Sequence, residues 1–466
     1  MPTRFVRIDR DTPLLLPPNL RDWVPDDHLV HFILDAVAEL DLCQIQVNER
    51  GTGSEQYPPT MLLALLIYSY ATGTFSSRRI EQSTFESVPV RLLTADTHPD
   101  HDTICTFRRD NKALLTESFV KVLQLAQQLK VLQVGQITVA VDGTKVLANA
   151  SKHSAVSYER AGQMIEQLEL EVKQLVAKAE QADSAPLAEG LRIPEEIARR
   201  QERKAALQKA RAEIEARARA RYAAELAEHE KKLAERAARK ERGEKVGGKP
   251  PQAPSCEPEA KDQYNFTDPE SKIMKAGNGN HFEQSYNGQA AVEVRSRLIV
   301  GQRVSQSPND KQELIGSLQA IPPEAGALEA VLIDSGFFSE SAVQAVEQTV
   351  AGQLSGTTVY AAMERKSHHR SVADLEKKPE PLAPPAGASV SQVMRQRLGS
   401  AAGKQKYKLR QQTVEPVFGI IKSVLGFRQF LLRGLQKVEL EWTLICAAYN
   451  LKRLHRLGAG LKLAAL

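Results

Sequence analysis

The sequence predicts an α/β fold, a mixed sheet with flanking helices, preceded by an all-α region and interrupted by a long helical insertion. Three observations predict it. Apolar runs at 137–141 and 330–333 lead into single aspartates, Asp142 and Asp334. Val414, Val417, Phe418, Ile421, Val424 and Leu425 recur at helical spacing around Glu415. Residues 157–243 are rich in Ala, Glu, Lys, Arg, Leu and Gln with almost no aromatics, which is the composition of long helices.

In chain order, residues 1–135 read as an all-α N-terminal domain. Stretches 29–40 and 61–70 are apolar and helix-like, while 76–85 and 103–111 read as short helices with polar caps. Thr103 would cap a helix presenting Arg108 and Arg109, with Arg78 and Arg79 at the start of its neighbour, a pattern that suits a helix-turn-helix kind of DNA reader. A packing domain whose arginines face water is the competing reading.

The central elements begin with the strand that ends at Asp142, where Gly143 lets the chain turn away. After the insertion come strands at 286–294 and 298–305, a short helix capped by Asn309 or Asp310, the Asp334 strand, a helix at 340–350 and a strand at 357–361. Glu415 then falls in the first turn of a helix or at a kink, because Pro416 disfavours helical angles in the residue before it. This order of strand, strand, strand, helix, strand, helix, strand, helix matches the ribonuclease-H-like fold, with a mixed five-stranded sheet formed by 136–156 and 262–466. The insertion, 157–243, is expected to form coiled-coil-like helices, joined or separated by a bend at 182–194. Met164, Leu168, Leu175 and Ala179 make one seam, and Leu207, Ile214, Leu226 and Leu233 a sparser one. A linker at 244–261 returns the chain, and a second Pro-rich stretch spans 376–389.

Each of the three carboxylates sits at the edge of an apolar segment, where an unpaired charge is costly unless something such as a metal ion compensates it. Charge is also unevenly placed. From Arg395 onward there are 14 Lys or Arg against three acids, so a chain of net charge +5 carries +11 there and −6 elsewhere. Such a concentration suits a polyanion, although a solvated basic helix would read the same way. The four cysteines, Cys43, Cys105, Cys256 and Cys446, are far apart, which indicates neither a zinc ribbon nor a disulfide framework. His368 and His369 have no matching pair for zinc. No run of about 18 apolar residues is present to span a bilayer, and the first residues lack the apolar stretch of a signal peptide. A cytoplasmic, nucleoid-associated protein is expected.

Several strings in order carry a resemblance: VDGTKVLANAS with Asp142, SKIMKAGNGNHFEQSYNGQAAVE, SQSPNDKQEL, IDSGFFSE with Asp334, and VEPVFGIIK, GFRQFLLRG and AAYNLKRL near the C-terminus. With these the chain resembles a bacterial insertion-sequence transposase of the DDE type, in the broad group of the fourth and fifth insertion-sequence families. Relatives carry a Tyr-x2-Arg-x3-Glu-x6-Lys signature; Tyr407, Arg410, Glu415 and Lys422 give the same order with one extra residue between Arg410 and Glu415. The resemblance implies that Asp142, Asp334 and Glu415 are catalytic and hold two Mg²⁺ or Mn²⁺ ions, Asp142 bridging both. It implies double-stranded DNA as partner, both terminal inverted repeats and target, and a homodimer in the transposition complex. Lys422, Arg410, Tyr407, Lys408, Arg428, Arg433, Arg108 and Arg109 are the expected DNA contacts. Hydrolysis at the element's ends followed by attack of the freed 3′ hydroxyl on target DNA is the implied reaction. A metal-dependent nuclease without strand transfer, or a non-catalytic DNA-binding relative, are the alternatives.

Overall fold

The computed structural model describes residues 19–40, 42, 56–133, 135–182, 192–241, 243, 251–275, 281–348, 356–363, 381–385 and 387–458. His368, His369 and Cys43 lie outside them. Two compact units are formed, one from 1–147 with 286–466 and the other from 148–285.

The first unit is organised on a mixed sheet. Strand β1 (Gln136–Leu147) lies between β5 (Phe282–Glu293) and β7 (Ala327–Ile333), and β8 (Thr358–Ala361) pairs with β7. β1, β7 and β8 run parallel, with Val139 beside Val331 and Val331 beside Val359. β5 pairs antiparallel with β6 (Ile299–Ser305). The apolar runs that mark β1 and β7 are buried on both faces, as a central parallel strand requires. A short β4 (Lys272–Lys275) pairs antiparallel with residues 282–285 of β5, both within 148–285, so the sheet has six strands where five are expected.

β1 does not end at Asp142. It continues to Leu147, whose backbone is clasped by the 428–430 segment: Leu147 donates its N–H to Arg428 O at 3.1 Å, and Phe430 donates to Leu147 O at 2.8 Å. Gly143 is therefore a strand residue rather than a turn. β7 does end at Ile333, and Asp334 follows at its tip. The helix after β6 spans Glu313–Gln319 and is capped at Gln312, later than Asn309 or Asp310.

The helices at the start of the chain pack into the same unit. They are α1 (Leu29–Glu39), α2 (Pro59–Thr72), α3 (Ser77–Glu86), α4 (Val88–Leu93), α5 (His101–Asp110) and α6 (Lys112–Gln128). The cap of α5 is Asp100, which accepts from Thr103 N at 2.6 Å, rather than Thr103 itself. α2 and α6 lie against the C-terminal helix Leu435–Arg456, which also packs on β6. That helix is pinned to the sheet by side chains. Trp442 Nε1 donates to Gln289 O at 3.0 Å, and Asn450 bonds both the N–H and the C=O of Ile299 at 2.8 Å each. Gly73 ends α2 at φ +87°, and a Cβ there would lie 2.7 Å from Leu425 O. Only glycine admits both the left-handed turn and the close approach.

A fully buried polar network ties the early helices to the late one. Tyr70 Oη donates to Glu441 Oε1 at 2.9 Å, and Arg108 donates to Tyr70 Oη at 2.8 Å and to Phe75 O at 2.9 Å. Glu441 Oε2 accepts from Leu431 N and Leu432 N at 2.9 and 3.0 Å. Burial and the neighbouring Glu441 charge push the Tyr70 hydroxyl well above its ordinary range.

In the second unit the helices Tyr158–Ala182 and Ile193–Glu241 pack side by side. Their seam is shorter than the heptad pattern suggests. Ala161, Ile165 and Leu168 meet Leu207, Ala210 and Ile214, with Val156 and Tyr264 from the two-stranded sheet at the base, while Leu233 is exposed.

Candidate active site

Each acidic residue reaches the site on a different element. Asp142 sits mid-strand on β1, next to the parallel β7, and Asp334 follows that strand's last residue, Ile333. Glu415 lies on a helix spanning Ala401–Gly419, which Ser400 caps by accepting from Gly403 N. Glu415 is thus near the helix's end rather than in its first turn. Pro416 is accommodated inside the helix, and the next residues, Ile420–Val424, form a π-helical turn. A proline removes one intrahelical donor, and a π turn is a rare widening of the helix that is frequent at functional sites.

The three acids face one guanidinium. Arg410 donates to Asp142 Oδ2 at 2.8 Å, and it stands 3.7 Å from Asp334 Oδ2 and 3.7 Å from Glu415 Oε1. Exposure is graded across the site. The Arg410 side chain is 9% exposed, Asp142 19%, Asp334 39% and Glu415 59%, so one rim is open to a ligand. Asp142 Oδ1 accepts from Gly143 N at 2.9 Å, and Asp334 Oδ1 from Gly336 N. Burial raises the Asp142 carboxyl to about 6, with Asp334 and Asp310 adding to the rise while Arg410 and the Gly143 amide oppose it.

A second polar cluster lies beside Gly143. A Cβ at that position would come within 2.5 Å of Gln289 Nε2, 2.6 Å of Asp310 Oδ1 and 2.8 Å of Asn287 Oδ1. Asn287 and Gln289 both donate to Asp310 Oδ1, at 2.7 and 2.8 Å. Lys145 Nζ is 3.9 Å from that oxygen, and although buried it finds no hydrogen-bond partner. Lys422 donates to the Lys145 carbonyl at 2.6 Å, and Arg428 donates to the Lys422 carbonyl at 3.0 Å. Burial first, then Lys145 and Arg428, lowers the Lys422 ammonium from its ordinary value. Lys145, Asn287 and Gln289 are not singled out by the sequence, and Asp310 is read there only as a helix cap. Asn287 and Gln289 are polar residues two apart in a strand that is buried from Gln284 onward.

The expected DNA contacts divide. Lys408, Arg428 and Arg433 are exposed, Tyr407 and Lys422 are half-buried, and Arg410 faces the acids. Arg109 is exposed and paired with Asp110. Arg108 is a correction. It is 2% exposed and spent on Tyr70, Phe75 and Glu441, so no surface is left for a phosphate to reach. The other cationic end of α5, Arg109, is the one that faces solvent.

Residues 382–455 match the family described as Transposase DDE domain, and residues 18–110 the family described as Transposase domain (DUF772). Both matches support a DDE transposase of the bacterial insertion-sequence kind. The first match covers Arg410, Glu415 and Lys422, and the second covers α1 to α5. A DDE domain implies a ribonuclease-H-like sheet. Comparison with curated proteins and with solved structures found no match. No helix among the described residues is long and apolar enough to cross a membrane.

DDE transposases generally use divalent metal ions. No group of three His, Cys, Asp or Glu side chains among the described residues is closed tightly enough to enclose one. The donor set nevertheless fits a hard cation. All three ligand candidates are carboxylates, which favour Mg²⁺ or Mn²⁺ over softer metals, and all three already turn an oxygen toward a single positive group.

Proposed function

We propose that this transposase binds the terminal inverted repeats of its insertion sequence, cleaves the DNA at those ends and joins the freed 3′ hydroxyl to target DNA. The observation that carries the reading is the convergence of Asp142, Asp334 and Glu415, contributed by two neighbouring parallel strands and a late helix, on one guanidinium.

In the first step water attacks a phosphorus at the element's end, the bond to the 3′ oxygen breaks, and a 3′ hydroxyl is released. In the second, that hydroxyl attacks a target phosphorus and displaces the target's own 3′ oxygen. Asp142, Asp334 and Glu415 would hold two divalent ions, which when bound activate the attacking oxygen and neutralise the departing one. Lys422, with Lys145 and Arg428 beside it, offers a knot of positive charge for the phosphate backbone. Exposed Lys408 and Arg433 extend that positive surface along the same C-terminal segment. Burial lifts the Tyr407 hydroxyl above its ordinary range, so it stays protonated and can donate to a phosphate oxygen. Two copies of the chain would bring two element ends together.

The test is cleavage of duplexes carrying the DNA that flanks the encoding gene, in Mg²⁺. Asp142→Ala, Asp334→Ala and Glu415→Ala should each lower strand cleavage by about a thousandfold or more, because groups that act as a unit fail as a unit. Binding of the ends should persist. Near-normal cleavage by any one variant removes that residue from the site, and cleavage without joining would leave a nuclease.

A further inference from the structure

We propose that Arg410 is a positioning residue that acts as an exchangeable counter-ion. It gathers the three carboxylates while the chain is off DNA, and it is drawn onto a DNA phosphate when the element's end binds, which frees the carboxylate oxygens for divalent ions. The inference rests on the reading of Asp142, Asp334 and Glu415 as the ion-binding acids.

The argument begins with how poorly the guanidinium is satisfied where it stands. Arginine has five N–H donors in a planar fork. Only one contact to the acids, the 2.8 Å bond to Asp142, is a hydrogen bond by length; Asp334 and Glu415, both at 3.7 Å, are held by charge alone. Arg410 Nε is buried with no hydrogen-bond partner. A buried, partly unpaired fork is a weak resting place, and a phosphate offers it two parallel charge-assisted bonds.

Charge supplies the second half. Three acids facing one point repel each other, and a single positive group among them keeps them converged. A divalent ion seeking the same oxygens meets the same-sign guanidinium there. Ion and Arg410 therefore compete unless a new anion takes the arginine. The open rim at Glu415 and the cationic group of Lys145, Lys422 and Arg428 put that anion within the same unit. Loading of ions is then coupled to the presence of DNA, and by linkage the ions tighten DNA binding by the same factor.

The experiment measures Mn²⁺ binding by the loss of the free-ion electron paramagnetic resonance signal. It uses the full chain with and without a duplex of the element's end. The wild type should bind Mn²⁺ at least tenfold more tightly with the duplex than without it. Arg410→Gln should bind Mn²⁺ at least tenfold more tightly than wild type in the absence of DNA and gain little from it, whereas Arg410→Lys, which keeps the charge, should stay weak. Equal Mn²⁺ affinity of the wild type with and without DNA overturns the exchange whatever the variants do. So does a folded Arg410→Gln, checked by circular dichroism, that binds Mn²⁺ no better than wild type. Asp142→Asn separates the two readings. If it loses Mn²⁺ binding while Arg410→Gln gains none, the counter-ion inference fails alone; if it binds Mn²⁺ as wild type does, the carboxylate site fails and the inference with it.

Discussion

In the unit built on the sheet, Glu441 and Arg108 are taken inside and bound to buried partners; in the unit formed by 148–285 charged side chains remain at the surface and pair across a thin seam. Glu441 and Arg108 have side chains 0% and 3% exposed, and between them they bind Tyr70 and three backbone groups. The helical hairpin relies instead on pairs such as Arg200 with Glu171 at 2.8 Å and Lys204 with Glu169 at 2.8 Å, all of them partly exposed. The two strategies differ in what a single substitution does. Removing one member of a buried pair leaves the other unpaired in a dry interior, whereas removing one member of an exposed pair returns its partner to water.

The largest expected effect is therefore Glu441→Ala, which should lower the stability of the sheet-bearing unit by about 3–5 kcal/mol by leaving Arg108 buried without its acid. Urea denaturation measures it, and a loss under about 1 kcal/mol would mean that the network does not hold the early helices to the late one. Next is Leu207→Ala, in the hairpin seam at 2% exposure. It should cost about 2–4 kcal/mol, read by hydrogen exchange as lost protection in 158–241 with β1 and β7 amides unaffected. Equal loss in the strands would break the contrast between the two units.

Asp142 differs from Glu441 in the same unit, because burial of its carboxyl is only partly compensated. Its folded value of about 6 lies above the ordinary 3.8. Between those values the unfolded chain has released the proton and the folded chain keeps it, so this group's contribution to stability falls as pH rises from about 4 to 6. Asp142→Asn should then be more stable than wild type above pH 6, by on the order of 2 kcal/mol, with the gap closing below pH 4. Thermal melts across that range check it, and a gap that does not vary with pH would mean that the carboxyl titrates normally. The smallest effect is Arg200→Ala on the hairpin, under about 1 kcal/mol and reduced further by salt. A larger, salt-insensitive loss in urea melts would show that the hairpin is held by more than its seam and surface charges.

Much of the sheet could be read from local pattern. β7 announces itself by a continuous apolar run that stops at Asp334, and the helix Glu340–Gln348 and strand Thr358–Ala361 follow where their periodicity puts them. What could not be read depended on partners far along the chain. The extension of β1 beyond Asp142 is held by the backbone of 428–430, and nothing near Gly143 reveals it. Arg108 looked like a solvent-facing residue on a short polar helix because its partners are 38 residues back at Tyr70 and, at Glu441, near the other end of the chain. Pro416 is a strong local signal that points to a helix start or a kink at Glu415, yet the helix begins at the Ser400 cap and carries Pro416 inside it, a start that no residue near Glu415 reveals. The carboxylates themselves were legible as lone charges beside apolar runs. The guanidinium at their centre was legible only as one letter of a signature.

The clasp on Leu147 sets a timetable. Leu147 waits for Arg428 and Phe430, and Tyr70 waits for a partner 371 residues later in the chain, so a polypeptide leaving the ribosome carries Asp142 well before Asp334 is made, and both before Glu415. Contacts this distant in sequence form late and slowly. A product truncated between residues 335 and 400 would contain Asp142 and Asp334 but neither the helix that brings Glu415 nor the segment that finishes β1. On the proposed reading of the site, such a product would be missing its third carboxylate and the guanidinium that gathers the three.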